Sequence, residues 1–534
     1  HVLQDHDVGA AAATATATSA RGRPVRLLRG GRGHNGLGRR LNDAQLERAL
    51  EVLQRLAHAR VRARALVHAA HGLDALAARG VRFDRAFTVT PLTIPAHSSV
   101  HTGLYPPRHG VRDNGDYFLS DDAVTLAERL NDAGYATMAA VGAEVTSHRW
   151  GFAQGFDAYF DDLGAVQAGG NRWKVERPGA EVLADAVQWL DTERTEPEFA
   201  WVHFFDAHDP YEAPAPIPER LKDRPYLAEA NHVDKLVGQL LEHVDDDTYV
   251  IIVADHGEGL GEHGEALHGM LLYNGTTRIP MLMAGPGIDP SVVSAPMSLV
   301  DITPTVLGLA GIEHRGLDGM DVSAALLGDG TFDADRDVYV ESLYAWRHYG
   351  WAQQHALVDA EYKLIESTTD KLFHRSDAAE STDLASDASL VEPRVERLGE
   401  MMASWEGRAI ASPVQGDAQL SDQLAALGYA TTVVQAAPGP LPDPESRIGL
   451  LPRLETLRTA ARSGDLDATR EAVTTLIAEE PGLLEPRTLL AGALLTGGEP
   501  AEARDVALEA LALQDTAGIR LILGTAPGGE LVGV

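Results

Sequence analysis

The chain has 534 residues, no cysteine, 45 Lys and Arg against 78 Asp and Glu, and a formal net charge of −33. That length exceeds what one hydrophobic core usually supports, so more than one domain is expected. The missing cysteine excludes disulfides, thiolate metal sites and cysteine nucleophiles, and the acidity argues against a nucleic-acid partner, which would need a basic face.

The charge is unevenly distributed. Residues 1–82 carry 14 Arg, no Lys and 6 acids, a net of +8, which leaves −41 on the remaining 452. This segment opens on His1 and holds an Ala/Thr tract (Ala10–Ala20) and an Arg/Gly tract (Arg21–Arg40). Only Asp43–Ala70 has helical spacing, through Leu46, Leu50, Leu53 and Leu56. Three readings stand together: a basic arm followed by a helix, a stretch outside the native reading frame, and an arm that binds an anionic partner. No charged start leads into an apolar core, so no signal peptide is expected and the compartment stays open. No apolar run of about 18 residues occurs, so no transmembrane helix is expected either.

From Gly72 the pattern becomes that of an α/β domain. Helix-like segments alternate with short apolar runs: Tyr135–Gly142, Phe199–Phe205, Thr248–Asp255, Ile279–Gly285 and Asp337–Leu343. Nearly continuous apolar strands between helices predict a mostly parallel sheet covered on both faces. Ligands of such folds sit beyond the carboxyl ends of the strands. Two strands end in chemistry. Asp206-Ala207-His208-Asp209 follows one, and Asp255-His256-Gly257-Glu258 follows another. A carboxylate beside an imidazole at a strand end suits a metal ion, although either pair alone also reads as a loop cap. His263 and His268 follow in a glycine-rich loop, "GEGLGEHGEALHG".

The stretch Thr90–Val111, "TPLTIPAHSSVHTGLYPPRHGV", predicts a helix starting near Thr93, with Pro95 in its first turn. A hydroxyl there can meet an anion or serve as an ordinary N-cap.

This stretch resembles the nucleophile motif of the sulfatase family, within the alkaline-phosphatase superfamily. Further blocks match in order: "LNDAGYATMAAVG", "FFDAHDPYEAP", "VIIVADHGEGLGEHG", "LLYNGTTRIPMLMAGPG", "MSLVDITPTVLGLAGI", and "EYKLI" with "LFHRSDAAESTDLA". Together they span Gly72 to Ala385. The resemblance implies an alkaline-phosphatase/sulfatase-like fold and a metal-dependent hydrolase of phosphoric or sulfuric esters. It puts Thr93 on the nucleophile position and His97 on the motif arginine. His208 falls on a substrate-contacting histidine, and His268 on a basic residue near the leaving group. Asp255 and His256 fall on metal ligands, with Thr93 beside them. Asp–His ligation leans toward Zn or Mn over Ca or Mg. The implied substrate is a small-molecule, glycan or lipid ester.

The sequence also departs from the family pattern. Sulfatases oxidise a Cys or Ser nucleophile to formylglycine, which Thr93 cannot become. The motif arginine is His97, and the lysine after "VG" is Ala143. These departures favour phosphate esters or diesters over sulfate. The family's first metal-binding Asp pair has no counterpart about 40 residues before Thr93, since no Asp lies between Asp43 and Asp74. The alternative is therefore an inactive sulfatase-like scaffold.

The domain organisation expected is a leader over 1–71, a catalytic domain over 72–411, a linker over 412–447, and helical repeats over 448–534. "GDLDATREAV" at Gly464 and "GEPAEARDVA" at Gly498 recur at 34 residues, with Arg470 and Arg504 at the same offset. That period resembles tetratricopeptide repeats. Two units can cap the catalytic domain or bind a protein partner.

Overall fold

Strands β1 (Val81–Phe83) and β2 (Ala86–Phe87) come first in the computed structural model, after helix α1 (Gly72–Ala77). The structure describes residues 72–114, 117–163, 176–410, 440–514 and 517–525. The chain divides into two units, 1–68 and 69–534, and every described residue belongs to the second. The expected helix over 43–70 and most of the expected linker lie outside the described residues.

In chain order the elements that place the site are α2 (Thr93–Thr102), α3 (Leu126–Asp132), β3 (Ala136–Val141), β4 (Ala158–Phe160), α4 (Gly179–Leu190), β5 (Glu198–His203), α5 (Pro225–Leu240) and β6 (Val250–Val253). Next come β7 (Arg278–Ile279), β8 (Met281–Ala284), β9 (Ser291–Val293), β10 (Met297–Ser298) and α6 (Ile302–Leu309). Helix α3 starts on a capping box, with the Thr125 hydroxyl accepting from the Glu128 N–H and the Glu128 carboxylate accepting from the Thr125 N–H. The apolar runs β3, β5, β6 and β8 do become strands, and α4 and α5 fill the helical stretches between them.

The α/β class is the expected one, but the strand pairing is mixed rather than mostly parallel. β3 pairs in parallel with β4 and β5, β1 with β9, and β2 with β10. β6 pairs with β8, β8 with β1, and β7 with β2, all antiparallel. The physical reason lies in the connection. A parallel crossover needs a dozen or more residues, usually a helix packed on the sheet. Residues 254–277 hold one short α-helix, Asn274–Thr277, and a single 3-10 turn, Glu262–Gly264, and otherwise form the loop around the site. Pro280 also splits the run Ile279–Gly285, so β7 joins one sheet and β8 another.

A separate antiparallel sheet orders β11 (Val338–Ser342), β12 (Gln354–Val358), β13 (Tyr362–Glu366) and β14 (Lys371–His374). The run Asp337–Leu343 therefore opens this sheet and does not continue the parallel series. Helix α7 (Ala388–Trp405) covers it and buries Leu398 and Trp405 against Tyr105 and Tyr339.

Beyond residue 440 the chain is helical: α8 (Leu451–Ser463), α9 (Leu466–Glu479), α10 (Glu485–Thr496), α11 (Pro500–Leu513) and α12 (Ala517–Thr525). The 34-residue repeat separates equivalent helix starts, 451 from 485 and 466 from 500. The helices share one apolar cluster with the antiparallel sheet, through Tyr349, Trp351, Ile448, Leu454 and Leu457. Arg458 bridges Tyr349 and Glu485. No helix among the described residues is long and apolar enough to cross a membrane.

Candidate active site

Helix α2 supplies the hydroxyl. Its N-cap position is Leu92, in extended backbone and without a side-chain cap, so Thr93 is the first helical residue rather than the cap. Its side chain is thereby free to face the end of β6. The Ile94 N–H donates to Asn114 Oδ1 at 2.9 Å, which ties down one of the amides that a helix start leaves unpaired.

The partner of Thr93 comes from the loop after β6. Thr93 Oγ1 is 3.3 Å from His256 Nε2. His256 Nδ1 is 2.9 Å from the carbonyl of Gly257. A carbonyl only accepts, so Nδ1 carries the proton and Nε2 presents its lone pair to the threonine. Burial lowers the His256 pKa and keeps the ring neutral. Gly257 is required here, since a Cβ would stand 2.1 Å from the carbonyl oxygen of Gly275.

Asp255 adds a negative charge beside this pair. Its Oδ2 is 3.5 Å from His256 Nε2 and 3.6 Å from His97 Nε2. Burial alone would raise this carboxyl. The imidazoles of His256, His97 and His203, with the His256 N–H, outweigh burial and hold Asp255 well below the usual carboxylate range. His97 lies on the helical face next to Thr93, one turn on, and packs against Trp201 and His203 with ring centroids 5.3 and 4.8 Å away. Both of its ring nitrogens are buried without a hydrogen-bond partner. Burial drives its pKa well below 6.5, so it is a neutral ring in an aromatic wall.

His208 and His268 reach the same place from two loops, with ring centroids 5.5 Å apart. His268 lies 4.1 Å from His256 by the same measure. Their environments pull them in opposite directions. His208 stacks on Phe205 and donates Nδ1–H to the Asp209 carbonyl at 2.9 Å. Burial, then the His268 charge, push its pKa down to about 4. His268 pairs through Nδ1 with Glu258 Oε1 at 3.1 Å. Burial opposes its charge, but the Glu258 hydrogen bond and carboxylate, with Asp255 behind them, raise the His268 pKa. One imidazole is thus a neutral acceptor and its neighbour a cationic donor, the separation that acid–base chemistry needs.

The structure therefore brings Thr93, His97, His208, Asp255, His256 and His268 to one place. It also adds residues that the sequence alone did not single out. His203 ends β5 against His97 and is lowered to about 4 by burial. Glu258, 9% exposed, orients His268. Glu229 on α5 accepts the His208 N–H at 3.1 Å. Alternation along β5 could have marked His203, which shares a face with Trp201. No local signal marks Glu229, which lies 21 residues from the backbone it holds. His263 is not part of the group. It stacks on Tyr273 with centroids 3.6 Å apart and bonds the Ala379 carbonyl.

Sulfatase-family enzymes generally use a divalent metal. Among the described residues, no group of three or more His, Asp or Glu is arranged to hold one. Asp255 and His256 are a partial donor set and do not by themselves fit such an ion.

The sulfatase family model matches residues 65–312. The chain is 28% identical to a choline-sulfatase of Rhizobium meliloti over 324 residues, covering 46% of this chain and 63% of the relative. It is 29% identical to an ulvan-active sulfatase of Formosa agariphila over 329 residues, covering 51% and 62%. The chain thus spans a little under two thirds of the length of these curated relatives. Among solved structures it is similar to a protein in complex with D-glucosamine-2-N,6-O-disulfate, with a TM-score of 0.53 at 18% identity over 65% of this chain and 94% of the other. It is also similar to a phosphonate monoester hydrolase from Silicibacter pomeroyi, with a TM-score of 0.52 at 20% identity over 65% and 91%. At these identities the structural likeness establishes the sulfatase-like fold.

Proposed function

We propose that the chain is a sulfatase-family ester hydrolase that acts on phosphoric esters or diesters in preference to sulfate esters, with Thr93 as nucleophile. The observation that carries this reading is the 3.3 Å approach of Thr93 Oγ1 to the lone pair of His256. A hydroxyl beside an oriented, neutral base is the arrangement of an activated nucleophile. The preference for phosphorus rests on the residue type. A chain with no cysteine and Thr93 in this position cannot make formylglycine from either usual precursor.

The proposed sequence has two steps. Thr93 gives its proton to His256 Nε2 as its oxygen bonds to phosphorus. The ester P–O bond breaks, and His268, charged through Glu258, gives a proton to the departing oxygen. Water then attacks phospho-threonine as neutral His208 takes its proton; the P–Oγ1 bond breaks, His256 returns its proton to Thr93 Oγ1, the phosphate product leaves, and the proton on His208 passes through solvent to restore His268.

The partial donor set favours a second reading, an inactive scaffold whose C-terminal helices bind a protein partner. Turnover of p-nitrophenyl phosphate, a bis-p-nitrophenyl diester and p-nitrophenyl sulfate, each with and without added Zn²⁺ or Mn²⁺, separates the two. Phosphate or diester turnover lost in Thr93→Ala supports the hydrolase. Silence on all esters and both metals supports the scaffold.

A further inference from the structure

His263 takes no part in the Thr93 group, yet it sits in the turn at the tip of the loop that carries Glu258 and His268. The two arms of that loop are zipped together. Gly259, Leu260 and Gly261 donate their N–H groups to the carbonyls of Leu267, Ala266 and Glu265, at 2.7, 3.1 and 2.7 Å. A shift of the tip is therefore carried to Glu258 and His268, which pair at 3.1 Å where the arms end. The tip itself is strained. Leu260, Gly261, His263 and Gly264 all have left-handed backbone, with φ of 51, 88, 50 and 85°. Two of these are not glycine, and such conformations persist only where the surroundings hold them.

Much of what holds the tip comes from the start of the C-terminal helices. Gly264 rests on Ile448, so closely that a Cβ would stand 2.8 Å from Ile448 Cγ2. The His263 ring lies flat on Tyr273, and its Nε2–H donates to the Ala379 carbonyl at 3.0 Å. The Tyr273 hydroxyl in turn donates to Glu445, which pairs with Lys371 at 3.3 Å. Glu445 and Ile448 belong to the strap that enters helix α8. That strap is fixed on the antiparallel sheet. The Leu441 carbonyl accepts from the Thr368 hydroxyl at 3.0 Å, and the Pro442 carbonyl from the Ala352 N–H at 2.8 Å. Ile448 is 8% exposed and packs in one apolar cluster with Tyr273, Leu450 and Leu454.

We propose that Ile448 is a positioning residue for His268: the start of the C-terminal module presses on Gly264 and holds the loop over 258–268 in the form that keeps His268 against Glu258 and His256. The effect on turnover rests on the hydrolase reading above; the hold on the loop does not. The test uses the full chain and Ile448→Ala, with Ile448→Val as the conservative variant. Hydrogen exchange read by mass spectrometry should show the amides of residues 259–261 exchanging about 10-fold faster in Ile448→Ala. The β3 amides should be unchanged, and Ile448→Val should match wild type. In the same preparation kcat for p-nitrophenyl phosphate should fall about 10-fold with KM unchanged, because protonation of the leaving oxygen suffers and binding does not. A faster loop in Ile448→Ala, where wild type turns over no ester, would support the hold on the loop and sink the hydrolase reading alone. Unchanged exchange over 259–261, exchange raised equally in β3, or a faster loop with undiminished kcat in an active enzyme would each overturn the proposal.

Discussion

The two ends of the described chain treat charge in opposite ways. In the C-terminal helices charged groups pair at the surface, as Arg453 does with Glu479 and Arg470 with Glu499 and Glu502. Beneath those pairs the helices bury a uniform seam of Leu and Ala. At the Thr93 site the order is reversed. Ionisable rings are buried, some without partners, and their pKa values are driven apart. The helical end uses charge for solubility and register. The other end places it where it costs stability and separates the pKa values of neighbouring rings.

That contrast yields predictions of falling size. Thr93→Ala should abolish ester turnover, a loss of at least about 10³-fold, with Tm little changed because the hydroxyl caps nothing. Glu258→Gln removes the partner that raises His268, so kcat should fall about 10²-fold. Its alkaline limb should move to lower pH, because the acid form of His268 then persists over a shorter range. A pH–rate profile beside wild type checks both points. If the limb does not move, Glu258 does not tune His268.

In the helical end the large effects should come from apolar residues. Leu457→Ala, fully buried between the helices and the antiparallel sheet, should cost about 2–5 kcal/mol in urea unfolding. Arg470→Ala should leave Tm within about 1 °C, since exposed ion pairs contribute little. A larger loss at Arg470 than at Leu457 would break the contrast between the two regions.

Glu265 gives a titration that separates folding from catalysis. Burial raises its carboxyl to about 8, against the N–H groups of Met270 and Leu271 that it accepts. The folded protein thus holds a proton that the unfolded chain gives up near pH 4.5. Stability linked to this group is present below that pH and is lost as pH rises through about 8. Glu265→Gln should flatten the loss of Tm between pH 5 and 8. An unchanged slope would mean that Glu265 is ionised in the fold.

How much of this was legible in the sequence follows the same divide. The helical character of the C-terminal segment was readable, and its equivalent helix starts lie 34 residues apart, the spacing at which the segments at Gly464 and Gly498 recur. The strand runs were also readable, since apolar runs such as Val250–Val253 fix their own character. Pairing direction was not, because it depends on whether the connecting segment forms a crossover helix. The loop over 254–277 does not. The residues Thr93, Asp255 and His256 could be named from the resemblance of their motifs. Their protonation could not, since it comes from Glu258, Phe205 and the Trp201 wall, brought in by other elements. Glu229 reaches the His208 backbone from a separate element and leaves no local pattern.

The most direct test of the central claim is the covalent state of Thr93. Acid quenching during turnover of a phosphate ester, followed by peptide mass spectrometry, should find one phosphoryl group on the peptide containing Thr93. The label should be absent from Thr93→Ala. Steady turnover with an unmodified Thr93 peptide and an undiminished Thr93→Ala rate would contradict the account.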